Sequence, residues 1–210
     1  GCTVKNNLGA GLWFDTDWGD NLVENNLVDG NTCGIWWEIS ETLPGDRHGI
    51  IIRNNRVLNS RDQGIYVSAA SEAIIENNTC HNNNFDIVLH GMPRVAYGYP
   101  FMLKNNIVRR NIVAGRTADI VVFEGENARL NVVEENFYAL PKNEDPKRNG
   151  AGVAFSATNA GYDVTHRDLK ALWQQKGYER TASTGDPLWQ NAANGDYRLL
   201  PSSPAQGKGW

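Results

Sequence analysis

Ile51-Ile52-Arg53-Asn54-Asn55 and Ile74-Ile75-Glu76-Asn77-Asn78 are two copies of one unit: a short apolar run, one charge and a pair of asparagines. The unit returns as Thr3-Val4-Lys5 before Asn6-Asn7, Leu22-Val23-Glu24 before Asn25-Asn26, and Met102-Leu103-Lys104 before Asn105-Asn106. A degraded copy follows at Val132-Val133-Glu134 before Glu135-Asn136. Self-similarity at roughly 20 to 30 residues marks a solenoid, in which no repeat can bury its apolar face alone and successive coils must share one core. The runs are short, rich in β-branched residues and bounded by Asn, Asp and Gly, so the unit is built of strands. The fixed leucine spacing of leucine-rich repeats is absent.

A second strand family follows each pair: Gly11-Leu-Trp-Phe-Asp15, Gly34-Ile-Trp-Trp-Glu38, Gly64-Ile-Tyr-Val-Ser68, Asp86-Ile-Val-Leu-His90 and Asp119-Ile-Val-Val-Phe123. A third is expected around Leu27-Val28, Val57-Leu58 and Ile107-Val108. Together they predict an all-β, right-handed parallel β-helix of about six coils over residues 1–140, closed by a carboxy-terminal cap over residues 141–210. With these motifs the chain resembles the right-handed β-helix repeat family, the pectate-lyase-like superfamily. That family includes bacterial polysaccharide-degrading enzymes and related uncharacterised proteins. The resemblance implies a carbohydrate-active protein in a secreted or periplasmic setting.

Charge supports the stacking. The residue before each pair reads Lys5, Glu24, Arg53, Glu76, Lys104, Glu134, so neighbouring coils would place opposite signs about 4.8 Å apart. The asparagines suit the sharp turns, because Asn tolerates left-handed backbone and its amide can bond from coil to coil. A net charge of −4 offers no basic footprint for nucleic acid. No apolar run approaches the roughly 18 residues of a membrane span. Cys2, Cys33 and Cys80 are too few for a disulfide framework, and buried free thiols are expected at Cys33 and Cys80.

The two ends differ. Gly1-Cys2-Thr3-Val4 begins inside a coil without a covering helix, so the chain is expected to be the carboxy-terminal part of a longer solenoid. At the other end, Thr165-His-Arg-Asp168 and Gly177 bracket a predicted short helix. The tail, DPLW then NGDYRL then SSPA, turns at Asn194-Gly195 and is expected to cap the coils.

Side chains alternate along a strand. Leu12, Phe14, Ile35, Trp37, Ile65, Val67, Ile87 and Leu89 are expected inside, which turns Trp13, Trp36, Tyr66 and Val88 outward in one column and Asp15, Glu38, Ser68 and His90 in the next. The opposite phase would bury unpaired carboxylates at a cost of several kcal/mol each. Asp17 and Ser40 extend the acidic row by one outward position. Rings that stack on pyranose faces beside carboxylates that address hydroxyls have the composition of a sugar-binding cleft. A ladder that only stabilises coil stacking is the alternative. Residues 41–48 (ETLPGDRH) and 91–100 (GMPRVAYGYP) leave the same strand family, so Arg47, His48, Arg94, Tyr97 and Tyr99 are expected to wall that face.

The expected function is polysaccharide hydrolysis, with Asp15 and Glu38 as paired carboxylates and His90 as a third catalytic candidate. Like charges about 5 Å apart split their titrations into an acid and a base, and that spacing favours retention. Substrate contacts are expected from Trp13, Trp36, Tyr66, Asp17, Arg47, His48, Arg94 and Tyr97. A lyase or epimerase on uronic-acid polymers is the second reading, and a non-catalytic carbohydrate-binding or structural β-helix the third. No metal or cofactor is expected, apart from calcium between Asp15 and Asp17 in a lyase. The partner is a polysaccharide or oligosaccharide, with neither nucleic acid nor membrane, beside an amino-terminal remainder of the same protein.

Overall fold

The computed structural model describes residues 1–42, 48–123, 128–139, 153–156 and 177–210. Three parallel sheets, visited in rotation, make the right-handed β-helix. A charged sheet holds Asn21–Glu24, Ile50–Arg53, Ile74–Glu76, Ile107–Arg109 and Val132–Glu134. A back sheet holds Thr3–Lys5, Leu27–Asp29, Arg56–Leu58, Thr79–His81, Ile112–Ala114, Phe137–Ala139 and Ser183–Gly185. The front sheet holds Ala10–Asp15, Cys33–Glu38, Gln63–Ser68, Phe85–His90, Ala118–Phe123 and Val153–Ser156. Val153–Ser156 and Ser183–Gly185 carry the stacking past residue 140.

The corners explain the asparagines. Asn25, Asn54 and Asn77 take φ of 54–60°, the left-handed region that Asn tolerates, and Arg110 and Glu135 adopt it at the equivalent positions. The next residue hangs on the following coil: Asn26, Asn55, Asn78 and Asn111 each donate their backbone N–H and side-chain amide to the Oδ1 of the next asparagine at 2.9–3.0 Å, ending at Asn136. The same device turns the back sheet into the front sheet, where Asn6 (φ 59°) precedes Asn7 and Asn7 donates to Asn31 at 2.9 Å. It recurs at Asn105 and Asn106, whose amide donates to Asn131. The pairs therefore mark several corners rather than one. Thr3–Lys5 belongs to the back sheet, and Leu103–Lys104 pairs with Ala128–Arg129 in a small sheet of its own.

That regrouping corrects the charge column. Lys5 bonds Asp29 at 3.1 Å and Lys104 bonds Glu41, so neither stands in it. The aligned residues are Glu24, Arg53, Glu76, Arg109 and Glu134, with Arg109 in the place read as Lys104. Sign still alternates. Arg53 meets Glu24 at 2.7 Å and Arg109 meets Glu76 at 2.8 Å. These pairs are partly exposed, so Arg53→Met is expected to lower stability by only about 0.5 kcal/mol. Arg53→Glu, which would align three acids, is expected to cost about 1–2 kcal/mol at low salt and less at high salt, read from urea midpoints.

Inside, Ile35, Trp37, Ile65, Val67, Ile87 and Leu89 of the front sheet are fully buried against Val23, Ile52, Ile75 and Val108 of the charged sheet and Val28, Val57 and Val113 of the back sheet. Leu12 and Phe14 pack on the same core, partly exposed. The strand phase is the expected one. Cys33 and Cys80 are buried and unpaired, and burial raises both thiols; Cys2 is exposed.

Trp189–Asn191 and Asp196–Leu199 form an antiparallel hairpin through Gly195 (φ 78°). Trp189 and Leu199 lie against Ile112, Ala114, Phe137 and Ala139, covering the outer face of the back sheet, and Tyr197 Oη shares a hydrogen bond with His81 Nδ1 at 3.1 Å. The helix expected at residues 165–177 lies almost wholly outside the described residues. Among those described, no helix is long and apolar enough to cross a membrane.

Candidate functional site

Front-sheet register stacks Trp13 on Trp36 on Tyr66 on Val88, and Asp15 on Glu38 on Ser68 on His90. Residues separated by 75 positions thus form two adjacent columns. The ring geometry decides what the aromatic column can do. Trp13 and Trp36 lie nearly parallel, 16° apart with centroids at 5.1 Å, and Tyr66 continues the stack at 5.4 Å. His90 follows Tyr66 at 6.1 Å and Phe123 follows His90 at 5.0 Å. The indole faces are spent on each other. Within this column the exposed ring is that of Trp13, which is 56% exposed. From Val88 onward the outer column is buried with Phe85, Ala118 and Val121.

Glu38 is engaged. It is buried, and Arg94 reaches it at 3.3 Å. Burial raises the Glu38 carboxyl above its ordinary range, Arg94 opposes this, and Asp15 in the neighbouring coil adds to it. Asp15 is exposed and accepts from Thr16 Oγ1 at 3.0 Å. His90 is lowered by burial, so it stays neutral near pH 7, and its Nδ1 shares a 2.7 Å hydrogen bond with Tyr66 Oη.

A cleft of about 370 Å³, at the lower end for small-molecule sites, opens over the second and third front strands. Trp36, Glu38, Tyr66 and Ser68 line it, with Met92 and Arg94 contributed by residues 91–100 and Asp62 and Gln63 at the far rim. Arg94–Ala96 pairs antiparallel with Tyr99–Phe101, and this hairpin carries the guanidinium over the acid. Lys104, three residues beyond the hairpin, is held by Glu41.

Several expected contacts stand elsewhere. Tyr97 is at the hairpin tip, 90% exposed, rather than in the cleft. His48 Nε2 lies 3.7 Å from Asp20 at the entry to the charged sheet, outside the cleft lining. Arg47 is outside the described residues. Ser40 points inward: Thr16 and Ile39 take left-handed backbone (φ 54° and 46°), which breaks the alternation directly after Asp15 and Glu38. Ser40 Oγ is fully buried, donating to Glu38 O and accepting from the Asp17 N–H. Asp17 itself turns to accept from Trp18 N at 2.7 Å and does not line the cleft. Met92 and Asp62 were not legible as site residues, since a lone thioether in a loop and a lone acid before a strand carry no signal of their own.

Residues 1–139 match the family model for NosD, described as a periplasmic copper-binding protein. The chain belongs to the NosD family. The NosD match ends at Ala139, so it contains the whole cleft and leaves the tail hairpin outside. Comparison with curated proteins and with solved structures gave no match.

Proposed function

We propose that this NosD-family chain is an exported, non-catalytic β-helix that binds a glycan across the cleft between the second and third front strands. The observation that carries the reading is the Arg94–Glu38 contact, in which a hairpin-borne guanidinium lies over a carboxylate that lines a concave site beside Trp36 and Tyr66. Such a group is suited to receiving hydroxyl hydrogen bonds and poorly free to exchange protons with a substrate. The family's periplasmic description supports the exported setting.

The family description names copper, and the donors that could hold it are few. Among the described residues no three His, Cys, Asp or Glu side chains converge. Burial raises the Cys33 and Cys80 thiols, which opposes the thiolates copper favours, and the Met92 sulfur has the Arg94 guanidinium at 3.8 Å. This donor set does not fit a copper ion, and the glycan reading runs through the side chains alone.

Calorimetry against a polysaccharide panel tests the reading. Arg94→Ala is expected to weaken binding about tenfold or more, whereas Asp15→Asn is expected to stay within a few-fold of wild type, with no reducing ends released. Hydrolysis is the second reading. It is favoured by the in-register Asp15 and Glu38 and the raised Glu38 carboxyl, and release of reducing ends that is lost in Asp15→Asn would establish it over the binding module.

A further inference from the structure

On the outer face of the front sheet an aromatic side chain can reach the residue one coil on and two positions along. Tyr66 Oη does so, sharing a 2.7 Å hydrogen bond with His90 Nδ1. Trp13 stands in the same relation to Glu38, whose charged carboxylate its indole favours. By the same register Trp36 should reach position 68. Position 68 is a serine, which is too short to meet the indole. Its hydroxyl donates instead to Met92 Sδ at 3.4 Å, and Trp36 Nε1 is left buried without a partner. Native proteins leave few such groups, each costing about 1–3 kcal/mol. The volume a longer side chain would fill at position 68 is part of the cleft, which Trp36, Glu38, Tyr66 and Ser68 all line.

Polarity narrows what belongs in that gap. The orphan indole needs an acceptor, Glu38 offers one, and Ser68 can serve either way. The charged residues lining the cleft are Glu38, Asp62 and Arg94, and Arg94 is already balanced by Glu38. A ligand carboxylate would therefore meet net negative charge. A hydroxyl, which accepts and donates at once, meets none of that repulsion.

We propose that Ser68 creates a subsite for a hydroxyl of a neutral sugar, whose oxygen accepts the Trp36 indole N–H and whose proton is donated to Glu38, while Arg94 donates to a neighbouring hydroxyl. This rests on the glycan-binding reading and names its ligand class, excluding the uronic polymers that a lyase would take. Position 68 is the specificity determinant, since any acceptor long enough to complete the missing bond would close the subsite.

The test is calorimetry of the full chain with neutral oligosaccharides and their carboxylated counterparts, alongside melting temperatures. Wild type is expected to bind the neutral ligand at least tenfold more tightly than the carboxylated one. Trp36→Phe, which keeps the ring stack and deletes the N–H, is expected to weaken binding about fivefold. Ser68→Gln, whose amide oxygen can satisfy Trp36, is expected to abolish binding and raise the melting temperature. Ser68→Ala, which leaves the gap open, is expected to bind within a few-fold of wild type, and with Trp36→Phe it decides the matter if Ser68→Gln fails to fold. Wild-type affinity in both Trp36→Phe and Ser68→Gln would overturn the subsite and leave the glycan reading standing. Equal binding of the carboxylated ligand would overturn the neutral preference. Absence of any glycan binding by wild type would overturn both.

Discussion

Asn78→Ala is expected to lower stability by about 4 kcal/mol or more and the melting temperature by about 8–16 °C. Asn78 is fully buried in mid-ladder. Its Oδ1 accepts both the backbone N–H and the amide of Asn55 at 3.0 Å, and its own amide donates to Ile52 O at 2.8 Å and Asn111 Oδ1 at 3.0 Å. Alanine takes a partner from the Asn55 backbone N–H, the Asn55 amide and Ile52 O in an interior that water does not reach, each at about 1–3 kcal/mol, while Asn111 Oδ1 keeps the Asn78 backbone N–H. The neighbouring Asn77 is the control. It contributes its tolerance of φ 54°, so Asn77→Gly should be nearly neutral and Asn77→Ala should cost about 1–2 kcal/mol. Equal losses at positions 77 and 78, read by thermal denaturation, would refute the division of labour within the pair.

The second large effect concerns how the ladder ends. Asn136 donates not to another asparagine but to Glu179 Oε1, at 2.8 Å, and Tyr138 Oη donates to the same oxygen at 2.6 Å. A carboxyl oxygen stands where the next amide oxygen would be. Burial raises Glu179 from 4.5 to about 7, against the pull of the Tyr138 and Asn136 hydrogen bonds. The folded chain thus holds a proton that the unfolded chain releases near pH 4.5. The stability contributed by that proton is complete below pH 4.5 and is lost as pH rises through about 7. Glu179→Gln keeps an acceptor for Asn136 and removes the titration. Its melting temperature is expected to match wild type near pH 4 and to exceed it above pH 8, by the equivalent of about 3 kcal/mol. A gap between the two proteins that does not change with pH would refute this.

Much of the fold was legible because the physics is local. Left-handed corners need Asn or Gly, and strands that share a core need short β-branched runs, so Asn54-Asn55 and Ile51-Ile52 carry their own meaning wherever they occur. What the pairs do not encode is which corner they occupy. Asn105-Asn106 resembles Asn77-Asn78 in sequence yet turns the chain before a charged-sheet strand instead of after it, while the corner that follows uses Arg110-Asn111. Misplacing that one corner put Lys104 in the charge column in place of Arg109.

The candidate site divides in the same way. Alternation and register determined that Asp15, Glu38, Ser68 and His90 would align beside Trp13, Trp36 and Tyr66, and they do. Ring orientation is a tertiary matter. Aromatic side chains spaced by the strand separation lower their energy by stacking along the solenoid axis, which turns their faces away from any ligand. Asp15 and Glu38 are adjacent as aligned, yet one is solvated and the other buried beneath an arginine from a hairpin, and no column in the sequence encodes that hairpin's path.

By itself the sequence determined the repeat, the inward phase and the membership of the two front columns, because those follow from periodicity and from the cost of burying charge. Only the tertiary structure decided that the serine at position 68 leaves the Trp36 indole without an acceptor and that Glu179 finishes the asparagine ladder. A missing partner is a property of the space around a group, and that space is defined by residues far away along the chain.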